Sequence, residues 1–463
     1  MTEIILSLVI LSHFILQIYP RIFSPQNGID LYRWLKYSRE IRSNRFKLPK
    51  YIDKYIIKAR FSYPPTFLIL LALFPSNFLE KFNYIMSPLF SIIENLILFF
   101  IVFYITNSET ISILSCIIYS STPANIIENM FLGTRSLGQL CYFIYLISLY
   151  FYIFEEYSLY ILVFSNSLVL VTHRMSTQLM LFTNIFISIC LLDLNFIFSM
   201  ILAVIFSIFI TAGQYYMVLK GHLAQVIFYI EEFSSQFKGF FYFNKTFIFT
   251  IIGRNPYILL AGYLALTKDH ELIDYFIIYL FTFIFFIAVI TTFISILRSV
   301  GEGHRYIAYL NPLCAFFIAK NIPQDSYFLI FIFFIVSLVP VIYKFLQMKK
   351  INKDNNFYLT PRLKLFLDDY FKTKDHEIRF MSFPPNIDDY IAYKFTNSRV
   401  MFHDNGFALK DCFIVPFHLN PEKKLKKILE MHNIDLLIST KSYKLESYNL
   451  MEIDGIYVYE KIN

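Results

Sequence analysis

The feature that most limits what this chain can become is a succession of long apolar runs joined by very short polar links. The runs fall near residues 3–19, 88–106, 110–126, 138–154, 157–171, 177–192, 195–212, 244–266, 274–297, 306–320 and 326–345. A bilayer core takes roughly 20 apolar residues as a helix, and somewhat fewer at the minimum, so the pattern predicts about eleven transmembrane helices. Composition agrees: 16% of the 463 residues are charged and the mean hydropathy is +0.53, where an ordinary soluble domain carries about 25% charge. The first run follows "MTE", with no basic n-region before it and no small-residue cleavage site after it. It reads as an uncleaved first helix rather than a signal peptide.

One apolar stretch is of another kind. In "YPPTFLILLALFPS", residues 63–76, the unbroken apolar core runs only from Phe67 to Phe74, a rise of about 12 Å as a helix. That is too short to cross a bilayer, and Pro64, Pro65 and Pro75 bound it. The segment is expected to be re-entrant or interfacial and packed against protein. Residues 20–87 then form one long loop beside the membrane. With eleven spans, the polar insertions at 127–137, 172–176, 213–223 and 298–305 emerge on the side of that loop, and so do residues 351–463. The other side keeps only short links such as "TNSET", "EEYS" and "KDHEL".

From Lys349 onward charge is mixed with short apolar runs, "IRFMSF", "YIAYKF", "VMFHD", "DCFIVPF", "IDLLIS" and "IYVYE", and one amphipathic helix, "PEKKLKKILEMH", follows Asn420 as its N-cap. This predicts a small soluble α/β domain at 349–463 after a membrane domain at 1–348. No GxGxxG or phosphate-loop pattern occurs in it, so no cofactor is assigned. The five cysteines, Cys116, Cys141, Cys190, Cys314 and Cys412, are far apart and four lie in apolar surroundings. They offer no CxxC or zinc spacing.

Charge is concentrated in the long loop: residues 21–60 hold eleven Lys or Arg and only three acids, Asp30, Glu40 and Asp53. Asn27 or Asp30 suits the N-cap of a short helix over about 28–43, where an acid also complements the helix dipole. The basic residues Arg33, Lys36, Arg39, Arg42 and Arg45 recur every three positions and wind around such a helix, which fits adhesion to anionic lipid headgroups or a cradle for phosphate. Further cations stand at predicted helix ends: Arg135 in "FLGTRSLGQL", His173 and Arg174 in "VTHRMSTQ", Lys220 and His222 in "GQYYMVLKGH", and His304 and Arg305 in "GEGHRY". Singly each reads as a snorkelling anchor. Together on one face they suit a phosphate-bearing lipid headgroup, whose charge they can bind and stabilise as it leaves. Glu94, in the second turn of the span from Pro88, is an intramembrane acid and therefore a functional candidate or the partner of a loop arginine.

The order of these elements resembles the C-type superfamily of integral-membrane glycosyltransferases. The similar parts are a first span leading to a loop with "GID" and "YPPTFLILLALFP", then "TRSLG", "THRMSTQ", "GQYYMVLKGH" and "GEGHRY", and a soluble C-terminal domain, over nearly the whole chain. The resemblance implies transfer of a sugar from a polyprenyl-phosphate-linked donor on the extracytoplasmic side. It implies Asp30 as general base, or as a ligand where a metal is used. Arg33, Arg135, His173, Arg174, Lys220, His222 and Arg305 would contact the donor phosphate, with Tyr63, Glu94, Gln178, Tyr216, Glu302, His304 and Tyr306 in support. Arg33 and Trp34 stand where related chains often place a second acid or a histidine, and Arg135 stands where many carry an acid. A tight metal site is therefore not expected, no cofactor is required, and a divalent metal stays an open alternative.

The expected partners are the lipid-linked sugar, anionic membrane lipids and an acceptor that is a glycan, a lipid or a protein, with no nucleic acid. The N-terminus is expected in the cytoplasm and the C-terminal domain outside. The positive-inside tendency opposes this topology, because "KFLQMKK" and the basic loop would both lie outside, although loops above about 60 residues escape the rule. Two other classes fit the same cations: a transporter or flippase for an anionic lipid-linked substrate, and a non-catalytic membrane scaffold acting through residues 351–463.

Overall fold

The computed structural model describes residues 2–22, 30–234, 247–294, 296–301, 303–354, 359–383, 386–401, 407–408 and 422–462. In chain order the helices are α1 (Thr2–Ile22), α2 (Leu31–Ser43), α3 (Thr66–Ala72), α4 (Ser76–Phe82), α5 (Met86–Thr106), α6 (Glu109–Ser121), α7 (Pro123–Asn129), α8 (Thr134–Phe154), α9 (Leu159–Leu170) and α10 (Arg174–Leu191). There follow α11 (Asn195–Ile210), α12 (Gln214–Ser234), α13 (Phe247–Arg254), α14 (Tyr257–Thr267), α15 (Leu272–Phe293), a 3-10 helix at Gly303–Leu310, α16 (Asn311–Asn321), α17 (Tyr327–Asp354), α18 (Pro361–Thr373), α19 (Asn386–Lys394) and α20 (Glu422–Met431). The strands are β1 (Ile378–Phe383), β2 (Ser398–Val400), β3 (Leu436–Ser439), β4 (Tyr448–Ile453) and β5 (Ile456–Lys461).

Six helical runs among the described residues are long and apolar enough to cross a membrane, and the bent pair α6 and α7 makes a seventh. The eleven spans expected from hydropathy are therefore not all present as full-length helices. Hydropathy counts apolar residues and is blind to what interrupts a helix. Thr122, before Pro123, is extended at φ −70° and ψ 121°, as a residue preceding proline prefers, and α6 and α7 meet there at 55°. The 244–266 run is broken before Pro256 into α13 and α14, and the 306–320 run is part 3-10 helix and part the 11-residue α16. The helices α9, α11 and α14 have 12, 16 and 11 residues, which reach roughly 16–24 Å at about 1.5 Å per residue.

The chain folds as two compact units: Met1–Pro25 with Phe82–Tyr215 and Tyr229–Gln347, and Gln26–Lys81 with Tyr216–Phe228 and Met348–Asn463. The first is a helical bundle whose polarity is inverted relative to a soluble protein. In α1, Ile4, Leu8 and Leu11 are more than half exposed, whereas His13 and Gln17 are buried. His13 donates from Nδ1 to the Ser120 carbonyl at 3.1 Å, and its Nε2 accepts from Gln17 Nε2 at 2.8 Å. Asn184 Nδ2 donates to Asn166, whose own Nδ2 donates to Ser199 on α11. Large apolar groups outside with hydrogen-bonded polar groups inside are what lipid solvation selects, because nothing in hydrocarbon can satisfy a polar side chain. The protein is an integral membrane protein by this surface as well as by the length of its spans.

The second unit is built on a five-stranded sheet of order β2-β1-β3-β5-β4. β1 pairs in parallel with β2 and β3, and β5 runs antiparallel to β3 and β4. The β4–β5 hairpin turns at Asp454 and Gly455, both at positive φ (52° and 76°), the backbone that a two-residue Asp-Gly loop favours. Met381, Phe383, Leu425, Leu429 and Leu437 form the core under the sheet. The run "YIAYKF" lies mostly in α19, "DCFIVPF" and the predicted cap Asn420 lie outside the described residues, and α20 is described from Glu422. The long loop belongs to this unit. Ile56 N donates to the Val400 carbonyl at 2.9 Å and Val400 N to the Lys54 carbonyl at 2.8 Å, so residues 54–56 extend the edge at β2. The proline-bounded segment becomes the seven-residue α3, with Phe67, Leu68, Leu71 and Ala72 buried against α2.

Candidate active site

The predicted residues divide between the units. In the second, α2 begins at Leu31, a few residues after the expected start near 28, and of the two expected caps Asp30 holds the N-cap position, but its side chain makes no capping bond. Its carboxylate, 47% exposed, pairs instead with Arg33 Nη1 at 3.2 Å. Arg33 is buried and in turn gripped from below: its Nε and Nη2 lie 3.0 and 2.9 Å from Asp389 Oδ2. The Tyr55 hydroxyl donates to Asp389 Oδ1 at 3.2 Å, and burial pushes the Tyr55 phenol well above its usual range. The result is an ordered acid–arginine–acid relay that fixes one half-exposed carboxylate. Asn27 lies outside the described residues.

The rest of the basic train is largely bound within this unit. Lys36 is buried, pairs with Glu40 at 2.6 Å, donates to the Asp53 carbonyl and lies 4.5 Å over the Tyr55 ring. Burial lowers the Lys36 ammonium and raises the Glu40 carboxyl, each against the pull of its partner. Arg39 sits 3.7 Å over the Tyr393 ring, and Arg42 donates to the Phe74 carbonyl at 2.8 Å. Four of the loop cations thus act as ties. Tyr63 stacks obliquely on Trp34 at 4.9 Å. Lys220 lies 4.5 Å over the Tyr216 ring on α12, and the following Gly221 is needed there: a Cβ would run into Ser62. His222 is half-buried on the same helix.

In the membrane unit three of the predicted polar insertions meet at one end of the bundle. Gly138 of α8 lets His173 approach, since a Cβ there would stand 2.6 Å from the His173 Cβ. Tyr309 of the 3-10 helix bonds Ser176 at 2.9 Å and approaches His173 Nδ1 at 3.4 Å, and Tyr306 donates to Gln178 Oε1 at 3.1 Å. Gly303 brings that 3-10 helix, with His304 and Arg305, onto α15, where a Cβ would strike the Ala288 carbonyl and Thr292. His173 and Arg174 are nearly buried at the start of α10. Glu302 lies outside the described residues. Glu94 is buried in α5 and bonds Tyr119 of α6 rather than a loop arginine.

Arg135, at the start of α8, pairs with Glu128 at the end of α7, and the same carboxylate holds Arg254 at the end of α13. Arg21 of α1 and Lys344 of α17 lie 5.3 and 6.0 Å from the centre of the ring of Phe131, a residue between Glu128 and Arg135 in sequence. Sequence reading missed Glu128, Arg254, Arg21, Lys344, Tyr309 and Asp389. Lys344 was visible as a basic residue ending an apolar run and Arg254 as a basic residue inside the 244–266 run; Asp389 carried no signal. Arg135 and Arg254 share Glu128, and Arg21 and Lys344 both approach the Phe131 ring, so four described cations gather here, a suitable seat for an anion. Among the described residues no three His, Cys, Asp or Glu are grouped as ligands for a metal ion.

No family model and no curated protein matches the sequence. Solved structures do match in fold. ArnT from Cupriavidus metallidurans, bound to undecaprenyl phosphate, aligns over 98% of this chain and 98% of its own, with a TM-score of 0.59 and 10% identity. The archaeal oligosaccharyltransferase AglB from Archaeoglobus fulgidus, in complex with an inhibitory peptide and a dolichol-phosphate, aligns over 95% of this chain and 69% of its own, with a TM-score of 0.49 and 10% identity. At such identity the likeness is one of architecture: the chain shares the fold of ArnT over nearly its whole length.

Proposed function

We propose that this protein is a membrane glycosyltransferase that moves a sugar from a polyprenyl-phosphate-linked donor to an acceptor hydroxyl or amide on the extracytoplasmic face, with Asp30 as the general base. The observation that carries the reading is the half-exposed Asp30 carboxylate, released from capping and held by a buried arginine. Asp30 takes the proton of the acceptor while the acceptor atom bonds to the anomeric carbon. The bond from that carbon to the phosphate oxygen breaks, and the polyprenyl phosphate leaves with the electron pair. Lys220 and His222, which belong to the same unit as Asp30, supply positive charge for that anion, and Arg33 orients the base. Undecaprenyl phosphate bound to ArnT, a protein of the same fold, supports this class of carrier.

The test is transfer from an undecaprenyl-phosphate-linked sugar by the protein in lipid nanodiscs. Positioned general bases contribute about 10²–10⁴-fold, so Asp30→Asn should lose at least about 100-fold in transfer and keep its affinity for undecaprenyl phosphate. Unchanged transfer would remove Asp30 from the mechanism. The buried His13 and Glu94 within spans favour, as a second reading, a transporter of the lipid-linked substrate, which predicts movement across the bilayer without a covalent product.

A further inference from the structure

A pocket of about 210 Å³ opens inside the second unit, among α2, α4, α18 and α19. One wall is aromatic. The half-buried Tyr32 meets Tyr390 edge to face at 5.0 Å and Tyr393 at 5.8 Å. Tyr393 is itself immobilised, since its hydroxyl donates to Glu80 and its ring lies under Arg39. The rest of the lining is charged but balanced: Lys364 and Lys394 are matched by Glu80 and Asp368, with Lys364 and Asp368 one turn apart on α18.

Each property narrows the ligand. A drug-sized pocket measures about 300–1,000 Å³, so this one suits a single small ring. Two ammonium groups oppose a cation and two carboxylates oppose a phosphate, whereas a neutral polyol can use both kinds, donating to carboxylates and accepting from ammonium groups. The C–H face of a sugar ring can lie on an aromatic wall. The pocket also shares its walls with the proposed base. α2 lines it from Leu31, the residue after Asp30, and α19 carries both Tyr390 and Tyr393 and the Asp389 that anchors Arg33.

We propose that this pocket is an acceptor subsite for one neutral sugar ring, which makes the acceptor a glycan rather than a peptide amide or a simple lipid hydroxyl. The inference rests on the transferase reading and adds the acceptor class to it.

The experiment uses the full chain in nanodiscs and a panel of methyl glycosides of glucose, galactose, mannose and N-acetylglucosamine, read by saturation-transfer NMR. At least one glycoside should receive saturation from the wild type, and Lys364→Met/Asp368→Asn should abolish it. Trp34 fluorescence should be unchanged in that variant, which separates loss of binding from loss of fold. With a glycan acceptor the same variant should raise KM at least tenfold and change kcat less than twofold, while acceptor-free hydrolysis of the lipid-linked donor stays at the wild-type rate. Absence of glycoside binding to the wild type, or equal binding by the variant, overturns the acceptor assignment. Neither outcome touches the general-base proposal, which stands or falls with Asp30→Asn.

Discussion

Removing the anchor of the relay tests the candidate site without touching Asp30. The Asp389 side chain is 1% exposed, that of Arg33 is 7% exposed, and three contacts of 2.9–3.2 Å converge on the carboxylate. An exposed ion pair contributes about 0.2–1 kcal/mol, but deleting one partner of a buried pair costs about 3–5 kcal/mol because the other charge is left without compensation in a low dielectric. In Asp389→Ala, Arg33 loses this buried partner, while Asp30 is half-exposed and screened by water, so a cost of about 3–5 kcal/mol should appear. The chain supplies its own reporter: Trp34 is its single tryptophan, 4% exposed, adjoining Arg33 and stacked near Tyr63. Denaturant unfolding in detergent, followed by Trp34 fluorescence for wild type, Asp389→Ala, Arg33→Met and the double variant, yields the coupling directly. A coupling below about 1 kcal/mol, the range of an exposed pair, would refute the relay.

Three further outcomes are expected. Glu128→Gln removes the carboxylate shared by Arg135 and Arg254; it should lower the melting temperature in detergent by about 1–3 kcal/mol worth of stability and make inorganic phosphate stabilise the variant more than the wild type, and equal phosphate effects would count against an anion seat there. Gly303→Ala forces a Cβ into the Ala288 carbonyl and Thr292, and overpacking of this kind costs about 1–3 kcal/mol, measurable as a shift in thermal unfolding. Burial raises the phenols of Tyr390 and Tyr448 to about 12 from the usual 10, and those of Tyr32 and Tyr393 further still. The folded state therefore favours the protonated phenol, its contribution is complete below pH 10, and it is lost as pH rises through 12. Tyrosinate absorbance and the Trp34 signal should change together in that alkaline window; smooth tyrosine titration with Trp34 unchanged would contradict it.

The helical membrane unit, the N-cap position of α2 and the strands β1, β3 and β5 were legible because each rests on a local pattern: apolar length, an acid before an amphipathic run, or short alternating segments. The span count was not, although Pro123 and Pro256 were in plain view, because hydropathy averaged over a span's length passes across both and the 3-10 geometry of residues 303–310 leaves no compositional trace. Nor was the allegiance of the basic loop. Its positive charge suggested lipid or phosphate, yet Lys36, Arg39 and Arg42 find carboxylates, rings and carbonyls within their own unit. Pairings such as Arg33 with Asp389 or Arg254 with Glu128 are set by tertiary folding alone, and one sequence cannot express them.

The separation of Arg33 from Asp389, 356 residues along the chain, bears on biosynthesis. At roughly 5–20 residues per second a ribosome makes Asp389 roughly 20–70 s after Arg33. Through that interval the loop has left the first helix without the aspartate that will anchor its arginine, and every intervening membrane span must be made first. A chain stopped short of the last eighty or so residues would hold its spans but could not set the carboxylate of Asp30 in place, so that chemistry waits for a finished polypeptide.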